Sequence, residues 1–190
     1  MTSITISRQL GSLGEEVAQA IAEQLNYRVV YRELINQAAV RARQPELALA
    51  MIDDLGLFNL HPSPSKRKAF HQALQEVMEE LANEGSAVLI GRAGQVILGN
   101  RPDVLHIKVF APAQVRAERV ASLQKISPEA AKAQIEASDR ARSGYLRRFY
   151  HARWDDPGLY DIIINTARLA PEQAACMVSH AVTICQTIDD

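Results

Sequence analysis

Five short apolar runs, at residues 4–7, 27–31, 87–90, 104–110 and 160–165, are separated by longer segments, most of them with helical spacing. This alternation constrains the fold more than any other feature. Strands joined through helices cross over and pair in parallel, and a parallel sheet is covered by helices on both faces. The expected fold class is therefore α/β, a mostly parallel sheet between helical layers. The run 87–90 (Ala-Val-Leu-Ile) has no polar residue and reads as buried on both faces. Helical spacing covers 15–25, 32–43, 46–57, 66–84, 112–124, 128–151 and 171–187, with Pro45 between the second and third and a loop at 61–65. Gly144 marks an optional break in the segment 128–151.

In such sheets a ligand sits beyond the carboxyl ends of the strands, where strand order reverses. The strand exits at 8–14, 31–33, 91–94, 111–112 and 165–168 are therefore the places to look. At 190 residues and 47% hydrophobic, the chain suffices for one domain spanning 1–190. A net charge of −1 argues against binding nucleic acid or a membrane surface through bulk positive charge. The expected partner is a small molecule, with no nucleic acid and no membrane. Nothing in the sequence speaks to oligomeric state.

Cys176 and Cys185 fall on roughly opposite faces of one helix and cannot bridge, and no cysteine or histidine spacing suits a metal. No basic and apolar leader opens the chain, and no apolar run approaches the roughly 20 residues of a membrane span, so a cytoplasmic location is expected.

The first strand exit reads Ser7-Arg8-Gln9-Leu10-Gly11-Ser12-Leu13-Gly14-Glu15. Strand, glycine turn and helix form the layout of a phosphate-binding loop. The motif GxxxxGK[ST] fails here, because Gly14 stands at the lysine and Glu15 at the hydroxyl. Ser12 and Glu15 also fit a capping box, in which the two side chains would close on each other's N–H groups. Local chemistry leaves both open: N–H groups that cradle an anion, or N–H groups consumed by the cap.

Sixteen of the 21 basic residues are arginine, the planar partner of phosphate and carboxylate. Arg92 directly follows the strand 87–90, between Gly91 and Gly94. Arg116 and Arg119 lie three apart on one helix face, placed either to meet an anion or to be solvated. On a continuous helix over 128–151, Asp139, Arg142, Phe149 and Arg153 would fall within about 80° of one another, with Arg140, Arg147 and His151 on another side.

Several of these segments together resemble the cytidylate kinase-like branch of the P-loop nucleoside monophosphate kinases. They are Ile4-Thr-Ile-Ser-Arg8 with Gly11-Ser-Leu-Gly14, Val88-Leu-Ile-Gly-Arg92, the strand and arginine helix of 104–119, Asp139-Arg-Ala-Arg142, and Trp154-Asp-Asp-Pro157 with Tyr160-Asp-Ile-Ile-Ile-Asn165-Thr166. The resemblance implies a five-stranded parallel sheet, a helical lid at about 120–153 and an acceptor-side helical insert at about 32–84. It implies transfer of the γ-phosphoryl group of ATP, with Mg²⁺, to CMP, dCMP or a related nucleotide. It gives Gly11, Ser12, Leu13 and Gly14 to the phosphate loop, with Arg8 as the cation beside them. Arg92 goes to the acceptor phosphate, and Arg119, Asp139 and Arg142 to lid and acceptor contacts. The chain departs from the pattern at Leu13 (a glycine), Glu15 (a basic residue), Tyr31 (an aspartate) and Ile135 (a lid arginine). These departures support the alternative of a catalytically impaired nucleotide- or anion-binding module.

Overall fold

The computed structural model describes residues 2–43, 63–99 and 101–188. The order is β1 (Ser3–Arg8), α1 (Gly14–Leu25), β2 (Arg28–Val30), α2 (Arg32–Arg41), α3 (Pro64–Glu84), β3 (Ala87–Ile90), α4 (Gly94–Ile97), β4 (Val104–Phe110), α5 (Ala113–Gln124), α6 (Pro128–Tyr150), a 3-10 turn (Pro157–Leu159), β5 (Ile162–Asn165) and α7 (Pro171–Ile188). The five strands pair in parallel in the order β2-β3-β1-β4-β5. This is the P-loop kinase-type sheet that the resemblance implies. The helix expected at 46–57 lies outside the described residues, as does the start of the loop at 61–65.

Period-2 alternation gives the sheet two unlike faces. Ile4 and Ile6 of β1, with Ile107 and Val109 of β4, pack under Val17 and Ile21 of α1 and Val178 of α7. On the other face, Val30 and Leu89 pack against Leu34 of α2 and Phe70, Leu74 and Met78 of α3. Beside that second core the alternate residues of β1 and β4 are polar: Thr5, Ser7, His106 and Lys108. Thr5 Oγ1 and His106 Nδ1 are 2.7 Å apart, and the His106 N–H donates to Asp161 at 2.7 Å. Burial lowers the His106 pKa, with Asp161 opposing.

Helix ends follow their caps. Ser63 accepts from the N–H of Lys66 with Pro64 in the first turn, so α3 begins two residues before the expected 66. Ser127 caps α6 in the same way. α6 runs through Gly144 without a break and stops at Tyr150, with His151 left-handed at φ 54°. Arg153 therefore lies beyond the helix, paired with Asp155, and does not share a face with Asp139. The short α4 falls between runs too brief for periodicity to detect. No helix among the described residues is long and apolar enough to cross a membrane.

Candidate functional site

β1 is the central strand, so its exit lies between those of β3 and β4. The loop from Gln9 to Leu13 turns there into α1. Gly11 (φ 77°) and Leu13 (φ 57°) are both left-handed, a backbone pattern that turns N–H groups toward one side. For leucine this conformation costs roughly 1–2 kcal/mol.

Three side chains hold the loop by its carbonyls. Arg116 Nη1 donates to Leu10 O at 3.3 Å, Arg119 Nη1 to Gly11 O at 3.3 Å, and Thr166 Oγ1 to Ser12 O at 2.7 Å. Arg119 also donates to Thr166 O at 2.8 Å, which ties the exit of β5 to α5. In a trans peptide the N–H points opposite to the C=O. The N–H groups of Gly11 and Leu13 therefore face away from these clamps. No acceptor among the described residues takes them, nor that of Gly14 in the first turn of α1. The positive end of α1 lies behind this set, an arrangement suited to an anion.

The capping box does not form. Leu13 occupies the cap position without a side-chain bond, so the helix starts one residue later than the box needs. The Ser12 hydroxyl donates instead to Gln9 O at 2.8 Å and Val109 O at 3.2 Å. Glu15 turns to Arg8, with Nη2 to Oε1 at 3.3 Å. The local reading left open by the sequence is thus resolved against the cap.

Arg116, which the sequence left between anion contact and solvation, is neither. It is 4% exposed, forks onto Asp139 at 3.2 and 2.8 Å, and donates through Nε to Ala111 O at 3.0 Å. Asp139 is therefore the partner that fixes α6 to α5 and, through Arg116, to the loop. Ile135 is fully buried with Val120 and Ala131, with Leu10 packed against them. Where a lid arginine was expected, an apolar contact joins α6 to the loop. Arg119 reaches the underside of the loop rather than a lid, and Arg142 donates to Ser138 Oγ on its own helix.

At the β3 exit Gly91, Arg92 and Ala93 are all left-handed, at φ 76°, 56° and 60°. Two consecutive non-glycine residues in this region hold backbone strain at this turn. His71, Tyr145, Phe149 and Tyr150 form an aromatic cluster where α3 meets α6, and the half-buried Arg92 lies close enough to act electrostatically on His71 and Tyr150. Burial first, and then the Arg92 and Arg67 guanidiniums, lower the His71 pKa to about 4, so its ring is neutral near pH 7.

A polar knot around Trp154 ties the segment before β5 to β1 and β4. Trp154 Nε1 donates to Ser7 Oγ at 2.8 Å, while Lys108 Nζ and Tyr160 OH donate to Trp154 O at 2.8 and 2.9 Å. The ammonium also lies over both rings, at 5.2 and 5.1 Å. Burial lowers the Lys108 pKa, with Asp155 and Asp139 opposing. This knot closes the polar half of the sheet below the strand exits. Thr166 could have been suspected from its place at an exit; the Lys108–Trp154 contact, 46 residues apart, had no local sign.

The cytidylate kinase-like family model matches residues 3–168. A cytidylate kinase from Pyrococcus horikoshii is 31% identical over 188 residues, covering 98% of this chain and 91% of its own length. Among solved structures, an uncharacterized protein from Eubacterium ventriosum superposes with TM-score 0.75 at 20% identity, covering 96% of this chain and 99% of its own. The shikimate kinase of Acinetobacter baumannii, in complex with shikimate, shares the fold with TM-score 0.55 at 13% identity, covering 97% of this chain and 94% of its own.

Proposed function

This chain belongs to the cytidylate kinase-like family, and on that footing we propose that it transfers the γ-phosphoryl group of ATP to CMP, dCMP or a closely related nucleoside monophosphate. The observation that carries the reading is the loop: its carbonyls are clamped from behind by Arg116, Arg119 and Thr166, while the N–H groups of Gly11, Leu13 and Gly14 have no acceptor among the described residues. Phosphoryl transfer depends mostly on positioning and charge neutralisation, so a rigid N–H cradle and nearby guanidiniums supply much of what it needs.

In this reading the donor's phosphates lie on the loop, and Arg92, fixed by its left-handed turn, faces the acceptor phosphate. The long helix α6 acts as lid, and the segment after β2 acts as the acceptor-side insert. Magnesium enters as part of the MgATP substrate. Among the described residues no group of three or more acidic, histidine or cysteine side chains could hold a metal. Phosphate oxygens and water supply most of the ligands of this ion when it is bound with a nucleotide.

A second reading, a module that binds nucleotide without turnover, is favoured by Ile135 buried where a lid arginine was expected and by Glu15 at the mouth of the loop. A coupled ADP-release assay with ATP, Mg²⁺ and a panel of CMP, dCMP, UMP and AMP decides between them. Turnover with a cytidine acceptor, reduced about 100-fold or more in Arg92→Ala, is the expected result. Wild-type rates at background, no higher than those of Arg92→Ala with every acceptor, would leave only the second reading.

A further inference from the structure

Arg8 follows an unusual path. The sheet order puts β3 and β2 on one side of β1, and β4 and β5 on the other. The loop's three clamps all come from the β4 and β5 side. Arg8 goes the opposite way. Its stem passes against Gly14, where an added Cβ would stand 2.4 Å from Arg8 Cβ. Its Nη1 then lies against Gly91 at the β3 exit, 2.7 Å from where a Cβ would be. The guanidinium ends 4.7 Å from the ring centre of Tyr31, at the β2 exit. Two glycines thus form a slot that only a residue without a side chain permits, and the slot aims the cation at the half of the cleft where the insert begins.

The guanidinium is also under-satisfied. Arg8 is 7% exposed, and its Nε is buried without an acceptor. Its ion-pair partner among the described residues is Glu15, through one oxygen at 3.3 Å, and that side chain is 60% exposed. The exposed carboxylate leaves at little cost, whereas the buried cation needs a counter-ion. A phosphate offers several oxygens to the planar fork and is the better partner.

We propose that Arg8 binds the phosphate of the acceptor nucleotide, not that of the donor, and that Glu15 is the internal counter-ion which this phosphate displaces. The inference rests on the nucleoside monophosphate kinase reading and assigns one side of that site. Tyr31 is then a positioning residue, the surface on which the guanidinium lies.

Calorimetric titrations of CMP and of ADP, run separately on the wild type and on variants whose folding is checked by circular dichroism, test it. Arg8→Lys keeps the charge but loses the fork and the stacking. It should weaken CMP about tenfold or more and leave ADP within about twofold. Tyr31→Leu, which spares the guanidinium, should weaken CMP by about threefold or more with ADP unchanged. Glu15→Gln removes the competitor and should tighten CMP by about twofold or more. Weakening of ADP instead of CMP in Arg8→Lys, or a CMP affinity indifferent to all three changes, overturns the assignment while leaving the kinase reading intact. A wild-type protein that binds neither CMP nor ADP overturns both.

Discussion

Replacing Arg116 with methionine is expected to lower the melting temperature by about 6–12 °C, because it leaves Asp139 as a carboxylate without its cation. The guanidinium is enclosed between α5, α6 and the loop, and four bonds occupy it: two to Asp139, one to Leu10 O and one to Ala111 O. Methionine replaces the stem but none of these bonds. Removing one partner of a buried pair costs about 3–5 kcal/mol, and the part-exposed Asp139 places this case near the lower end. At about 2–4 °C per kcal/mol for a chain of this size, the shift is large enough for a circular dichroism melt. Restoring a match by changing Asp139 to leucine in the same protein should recover much of the loss, since the second change removes the stranded charge. A single variant that melts within about 2 °C of the wild type would show that the pair is not what holds α6 to α5.

The second large effect is kinetic. Arg119→Met should lower kcat/KM for ATP by about 100-fold while leaving the KM for the acceptor within about twofold. Its guanidinium bonds Gly11 O, Thr166 Oγ1 and Thr166 O, so its loss removes one of the two ties that hold the loop to the β5 exit. Ser12 keeps its own tie to Thr166, which is why the loop slackens without unfolding. The expected stability loss is about 1–2 kcal/mol, far too little to explain the rate. Steady-state kinetics with each substrate varied in turn separates the possibilities. A rise in acceptor KM alone would return Arg119 to the acceptor contacts that the resemblance implied.

The fold was legible because its signals are local. Apolar runs such as Ala87–Ile90 and the helical spacing of Val17 and Ile21 depend only on neighbours in the chain, and they led to a parallel sheet between helices. The site was legible in part, for the same reason. Gly11, Gly14, Arg92 and Thr166 stand directly at strand exits, where chain position predicts spatial position. What failed was non-local or conformational. Ser12 and Glu15 match a capping box by spacing, yet a left-handed Leu13 shifts the helix start, and no propensity foresees a leucine there. Arg116 and Arg119 look alike on a helix wheel. One is buried because Asp139, 23 residues later, folds back onto it. Ile135 carries the same lesson: its departure from the family pattern reads as a lost function, and in the fold it is an apolar contact beside the loop.

The central claim is that the backbone of this loop holds the donor's phosphates without a lysine. Titrating ADP and Mg²⁺ into ¹⁵N-labelled protein tests it most directly. The amide resonances of Gly11, Leu13 and Gly14 should shift most and saturate together, with Arg116 and Arg119 side-chain signals little changed. Saturable binding of ADP that leaves those three amides in place, and moves resonances elsewhere on the sheet, would contradict it.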